Sequence, residues 1–475
     1  MNLKTLIVLS VCVIGGCTMR GPYRTAYPGI TIPTGAKEAQ SPAPAPNQQQ
    51  TLGATPPRPS PSNSSEDKRV IEDHGDFKLG FIEFGDDGKH LEKQRQMDAV
   101  IDALQKARKL KDNGAVTPET IGGLTVIYAH GWKNNARSRE GYHKDVEKFR
   151  EFLRDLAAEV KPDADKSPIP VTGVYLGWHG KSVDIDSGLL NWWTLWPRYF
   201  AAGRVGSEEM QKTISKAIQA GIAGRRTLPE EKRPRVILIG HSLGGRVLER
   251  ALQQVRGTEL EEDENTESDR KLGLILGQCK NLQSGKNVKS IVDLTLLVNE
   301  ATKSRQVRAA TKACHLEGDS KVMVRHPAST EQNCPANSTE LRCQPYPIYV
   351  HITTSADWAT RFLAPVALLG RTAPHSSHLW THRVNDVSKV PPPDSETVFK
   401  FQTQEAIPRT YAVARTDPKQ KNNPVWVMRV DRHVMKSHGD IWNESFQNMI
   451  KGLMGGLDVV KMRSYSPETR QLSKH

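Results

Sequence analysis

The sequence predicts an α/β fold in which a mostly parallel central sheet is flanked by helices. Three observations point there. Short continuous apolar runs recur along the chain, stretches of helical period separate them, and a Gly-x-Ser-x-Gly turn joins one apolar run to the helix after it. Strands covered on both faces read as unbroken apolar runs, and crossover helices are what cover a parallel sheet.

In chain order, Phe77 to Phe84 (FKLGFIEF) reads as a strand, and between Leu91 and Leu110 the apolar positions 97, 100, 101, 104 and 107 share one helical face. Leu124 to Ala129 (LTVIYA) is a strand ending in His130-Gly131-Trp132. The helix after it places Val146, Phe149, Leu153, Leu156, Ala157 and Val160 on one side. Val171 to Trp178 and Val236 to Ile239 are further strands, followed by a helix over Leu243 to Val255. Ile291 to Val298, Ile348 to Thr353 and Val425 to Val430 complete the strands, and Ile441 to Met454 reads as a closing helix with Asp440 as its N-cap. Stretches near 187–206, 257–289 and 314–347 break the alternation and read as insertions at the rim of one domain over 68–475. The acidic run Glu259 to Asp269 lies in the second of them.

Of 475 residues, 37% are hydrophobic and 25% charged, which excludes a wholly disordered chain, a collagen and a multi-span membrane protein. Against 53 acidic residues stand 66 Lys and Arg, a net charge of +13 that suits a polyanion or an anionic membrane. The N-terminus chooses between these. Met1 to Cys17 carries Lys4, then a nine-residue apolar run from Leu6 to Ile14, too short for a bilayer span of about 20 residues. It reads as a signal peptide over 1–16. Ile14-Gly15-Gly16-Cys17 resembles the lipobox of bacterial lipoproteins, which implies a lipid-modified Cys17 as the first mature residue. Thr18 after it implies sorting to the outer membrane. The expected location is therefore the bacterial cell envelope, with the membrane and not nucleic acid as partner. Ten prolines between Gly21 and Ser65 predict a solvated tether over 17–67. With Cys12 removed and Cys17 acylated, Cys279, Cys314, Cys334 and Cys343 remain, read as disulfides whose pairing the sequence leaves open among three arrangements.

Directly after the apolar run Val236 to Ile239 stands Gly240-His241-Ser242-Leu243-Gly244-Gly245. A chance Gly-x-Ser-x-Gly is expected on the order of 0.1–0.2 times in a chain this long. The spacing has a physical reason: a serine on a strained strand-to-helix turn projects its hydroxyl above the sheet, and glycines on either side remove side chains that would collide. In these residues the chain resembles the α/β-hydrolase superfamily, its GHSLGG being the form common in lipases and esterases. The resemblance runs in element order from about Phe77 to Met454. It implies a nucleophile, an acid and a histidine in that chain order, with an oxyanion hole.

Carried over residue by residue, the resemblance makes Ser242 the nucleophile. It makes His438, between the last strand and the last helix, the base, with His433 as the alternative. Asp357, following the strand Ile348 to Thr353, becomes the acid, with Glu300 as the alternative one strand earlier. The oxyanion donors become the amides of Leu243 and of Trp132, the latter in an HGx-like loop. His130 and His241 read as residues that shape loops. The aromatic stretch SGLLNWWTLWPRYFAAGRVG over 187–206 reads equally as a lid or as a satellite core. No metal or phosphate motif accompanies these residues: GHSLGG lacks a P-loop lysine, and His375, His378 and His382 have no partner set at ligand spacing. The expectation is thus a membrane-tethered serine hydrolase acting on small or lipidic carboxylic esters without a cofactor. The alternatives are an acyltransferase or thioesterase and a non-catalytic envelope binding protein. Oligomeric state is left open.

Overall fold

The computed structural model describes residues 21–26, 69–117, 119–137, 144–160, 169–180, 195–225, 227–229, 232–254, 288–290, 292–302, 307–308, 314, 324–325, 346–347, 349–357, 359, 380–386, 396–402, 409–416, 423–457 and 459–460. Its strands are β1 (Ile71–Asp73), β2 (Phe77–Phe84), β3 (Leu124–Ala129), β4 (Val171–Trp178), β5 (Arg235–His241), β6 (Val288–Lys289), β7 (Leu294–Val298), β8 (Val324–Arg325), β9 (Tyr349–Thr354), β10 (His382–Asp386), β11 (Glu396–Gln402), β12 (Thr410–Arg415) and β13 (Val425–Val430). The helices among the described residues are α1 (Arg95–Ala107), α2 (Asp145–Glu159), α3 (Leu195–Val205), α4 (Glu208–Ile222), α5 (Leu243–Gln254) and α6 (Glu444–Gly456).

Eleven strands form one sheet in the order β1-β2-β4-β3-β5-β7-β9-β13-β10-β12-β11, and β6 pairs with β8 apart from it. From β2 to β10 every neighbouring pair is parallel, while β1 runs antiparallel at one edge and, at the other, β12 runs antiparallel to both β10 and β11. The carboxyl ends of β2, β4, β3, β5, β7, β9 and β13 therefore open on one rim. All of β3 and all of β4 are buried, as a sheet covered on both faces requires.

Two glycine contacts identify the faces. A Cβ on Gly80 would meet Val100 of α1 at 2.7 Å, whereas one on Gly173, paired with Leu79, would meet Leu153 of α2 at 2.3 Å. Successive residues of a strand point to opposite faces, so α1 and α2 cover opposite sides. Helix α4 packs beside α1 and α5, and α3 lies against α5. Arg108, buried, donates to the carbonyls of Ala220, Gly221 and Ala223 and so caps the carboxyl end of α4.

The predicted strands 77–84, 124–129, 171–178 and 425–430 form with those bounds. Others shift. The strand expected from 291 begins at Leu294, because the buried Asp293 carboxylate turns back to accept from the Val236 amide and pairs with Arg225. Helix α6 starts at Glu444, with Asn443 and not Asp440 as its cap: Asn443 Oδ1 accepts from Phe446 N at 3.0 Å. Ile441 and Trp442 carry the helical pattern backward because they are core residues of the preceding turn. Helix α4 and the edge strands β10 to β12 were not expected.

The tether also needs correction. Residues 21–26, inside the stretch read as solvated chain, dock on the domain: the amides of Tyr23 and Arg24 donate to the buried Glu83 carboxylate, and Thr25 bridges to Arg69. Of the three rim insertions, 257–287 lies outside the described residues, as does most of 314–347. Within the third, Cys314 is buried and disulfide-bonded, with the other three candidate cysteines outside the described residues. No helix among the described residues is long and apolar enough to cross a membrane.

Candidate active site

Strand β5 hands over to α5 at Ser242, whose φ of +54° is a left-handed conformation that side chains other than glycine and asparagine rarely adopt. Tertiary contacts hold it there: Ser242 N donates to Val298 O of β7, and Ser242 O accepts from Ala301 N. The turn is tight. A Cβ on Gly244 would come 2.2 Å from the Ala129 carbonyl oxygen, so only glycine lets α5 start this close to the end of β3.

The imidazole of His438 lies between Ser242 and Asp357. Its Nε2 is 2.7 Å from Ser242 Oγ and its Nδ1 is 3.0 Å from Asp357 Oδ1. Asp357 is fully buried and accepts the Nδ1 proton, which leaves Nε2 as the acceptor for the serine hydroxyl. The side chain of His438 is 24% exposed, so the hydroxyl and imidazole meet where a ligand can reach them.

His438 belongs to the turn between β13 and α6, and three side chains hold that turn. His241 Nε2 and Asn299 Nδ2 both donate to the His438 carbonyl, at 2.9 and 3.0 Å. Asn299, itself at φ +46°, also accepts from Thr354 N, while Thr354 Oγ1 donates to the Met435 carbonyl. The Asp357 turn and the His438 turn are thereby joined. On the other side, Trp442 Nε1 donates to Asp145, a buried carboxylate at the start of α2 that also accepts from Tyr128 and Tyr175 hydroxyls. Burial pushes the Asp145 carboxyl above the usual range, against the three donors that favour its charge.

The loop after β3 abuts the serine, since a Cβ on Gly131 would come 2.9 Å from Ser242 Cβ. Trp132 follows in that loop, its ring beneath Lys133 Nζ at 4.4 Å, and Leu243 opens α5, where first-turn amides lack acceptors within the helix. His130 shapes the loop. Its Nε2 accepts from Trp178 N, its Nδ1 donates to Gly131 O, and its ring stacks on Trp178. Burial pushes its imidazole down to about 4. Lys133 N donates to Gly180 O and Gly180 N to Asn134 O, which ties the loop to the end of β4.

The two alternative residues lie elsewhere. His433 is half exposed beside Asp431, and it is His438 that meets Ser242 Oγ. Glu300 pairs with His351 Nδ1 at 2.5 Å beneath α5, both side chains buried, and so faces a different imidazole. From the aromatic stretch 187–206, residues 195–205 form α3, with Ala201, Ala202 and Val205 in the core and Tyr199 under Arg246 at 3.8 Å. That half packs as satellite core, and Trp192 and Trp193 lie outside the described residues, as do Cys17, His375 and His378. His382 stacks on Trp426. Among the described residues no group of three or more His, Cys, Asp or Glu is arranged to hold a metal ion.

The resemblance singled out Ser242, His438 and Asp357, and the fold brings these three together. It missed Asn299, Thr354 and Asp145. The one local signal at Asn299 is its residue type after a strand, since asparagine tolerates the left-handed region. Comparison with family models, with curated proteins and with solved structures finds no match for this chain.

Proposed function

We propose that this protein is a serine hydrolase of the α/β-hydrolase type that cleaves carboxylic esters, held to the outer membrane through lipid on Cys17. What supports the reading is the contact chain Ser242 Oγ, His438 and Asp357, at 2.7 and 3.0 Å, on a positive-φ turn at the carboxyl end of a central parallel strand. A serine hydroxyl is a weak nucleophile until a base takes its proton. His438 Nε2 is placed to take it as Oγ attacks the ester carbonyl carbon. Asp357, accepting from Nδ1, stabilises the imidazolium that forms. The oxyanion rests on the amides of Leu243 and Trp132, donors worth roughly 3–4 kcal/mol each in the transition state. His438 then gives the proton to the departing alcohol. Water enters, loses a proton to Nε2, and its oxygen attacks the acyl-enzyme to free the acid and Ser242.

The test is reaction of the full chain, in detergent micelles, with a fluorophosphonate probe, the labelled site being read by peptide mass. Labelling at Ser242 is expected, absent in Ser242→Ala and slowed at least a thousandfold in His438→Ala. A folded wild type that stays unlabelled overturns the reading and returns the binding-protein alternative. Adding an alcohol acceptor separates transferase from hydrolase by whether ester product outpaces free acid.

A further inference from the structure

Residues 21–26 dock beside the candidate site. Tyr23 N and Arg24 N donate to Glu83 near the carboxyl end of β2, and Gln96 Nε2 donates to both the Arg24 carbonyl and the Glu83 carboxylate. The Arg24 side chain is fully buried over the Phe81 ring. It donates through Nε to Ala136 O, in the loop that carries Trp132, and pairs with Glu72 at 2.7 Å. Tyr23 meets the ring of His179, just past the end of β4. All these partners but Glu72 and Phe81 stand at the rim where β5 delivers Ser242. Strands are spaced about 4.8 Å apart, so the docked segment at β2 and β4 lies roughly 10–15 Å from β5.

Only three residues, and so four residue steps, separate Cys17 from Gly21. Fully extended, they reach at most about 14 Å. The eight residues of β2 span roughly 26 Å. A lipid on Cys17 therefore cannot pass from the carboxyl rim to the opposite end of the strands. The proline-rich stretch does not lengthen the leash, because the Thr25 bridge to Arg69 closes it into an excursion downstream of the dock. The same rim carries Arg137 over the Tyr23 ring and Lys133 over the Trp132 ring, cations suited to anionic headgroups. Phe200, 55% exposed, lies on α3 half a turn beyond Arg198, which binds Asp86 and the His179 carbonyl at this rim.

We infer that the docked segment holds the mouth of the Ser242 site against the bilayer that receives the Cys17 lipid, and that the substrate is an acyl ester carried by a lipid of that bilayer. The inference rests on the proposed lipidation and hydrolase activity, so its test reads orientation and turnover separately.

Lipidated full chain is reconstituted in phosphatidylethanolamine and phosphatidylglycerol vesicles, with and without a 30-residue Gly/Ser spacer between Arg20 and Gly21. A fluorophore on V116C or F200C is exposed to headgroup-quenching lipid. Val116 packs beside Gly224 past the end of α4, toward the opposite end of the sheet. Quenching at 200 at least three times that at 116 is expected, with the difference lost on adding the spacer. Equal quenching, or a chain without lipid at Cys17, overturns the orientation. In parallel, release of a fluorescent acyl chain from vesicle phospholipid should fall at least fivefold with the spacer, while hydrolysis of a soluble short-chain ester stays within twofold. A wild type that hydrolyses the soluble ester but not the vesicle lipid overturns the substrate class. Failure on both substrates, with Ser242 unlabelled by the fluorophosphonate, overturns the hydrolase reading itself.

Discussion

Among the imidazole–carboxylate pairs of the described residues, two are built for different ends. His438 and Asp357 meet at 3.0 Å, with the histidine a quarter exposed and its second nitrogen on a serine hydroxyl. His351 and Glu300 meet at 2.5 Å with both side chains buried. Around the second pair lie Glu249, which accepts from Thr302 Oγ1, and the buried Tyr349 hydroxyl. Burial, and then the nearby Glu300 carboxylate, push Glu249 up to about 7. Burial opposes charge on His351, yet the Glu300 carboxylate holds the imidazole above its ordinary range. Both pairs join a base to an acid. Only the first sets a serine hydroxyl against a partly exposed imidazole, which is what the proposed reaction needs.

The largest separation between the two pairs should come from deleting each histidine. His438→Ala should lower kcat on a soluble ester by about 10⁴-fold or more while leaving thermal unfolding nearly unchanged. His351→Ala should do the reverse. It strands a buried carboxylate beside Glu249, at a cost of about 3–5 kcal/mol in urea unfolding, with the folded fraction still labelling at Ser242. His351→Gln, which keeps a donor toward Glu300, should recover part of that stability. Equal kinetic losses from both deletions would erase the distinction.

His130 sharpens the comparison as a buried imidazole with no carboxylate. Its folded value of about 4 lies below the ordinary 6.5, so its contribution to stability is complete above pH 6.5 and is lost as the pH falls toward 4. Between pH 7 and pH 5 the wild type should lose about 2 kcal/mol more than His130→Gln, read by urea titration at the two values. Parallel slopes would mean that burial does not hold His130 neutral.

A smaller effect is expected at Asn299, which clamps the His438 carbonyl together with His241. Asn299→Ser should cost roughly tenfold in kcat with KM little changed, as a loosened base would, since tenfold corresponds to about 1.4 kcal/mol. A change confined to KM would assign Asn299 to substrate binding.

Much of the sheet was legible because its central strands are buried on both faces and their residues say so without reference to neighbours. Four strands form at the expected bounds. Strand β10 escaped because it mixes buried and open positions. The serine turn was legible from its glycines, and His438 and Asp357 only through the resemblance, which places an acid and a base after the strands that became β9 and β13. The docking of Tyr23 and Arg24 was hidden inside a proline-rich composition, since their partners Glu83, Gln96 and Ala136 lie far along the chain.

Asp357 and His438 were singled out by the resemblance to α/β-hydrolases, whereas by itself the sequence determined the α/β alternation and the strand-to-helix turn at Ser242. These depend on residues close in the chain, where periodicity and turn chemistry act. Tertiary structure alone decided which carboxylate faces which histidine, and what holds them. Asn299 reaches the His438 carbonyl across 139 positions, His241 across 197, and Trp442 finds Asp145 across 297. Such bonds follow from strand order and loop closure, because a side chain's partners are set by what the packed sheet brings within 3 Å and not by what precedes it in the chain.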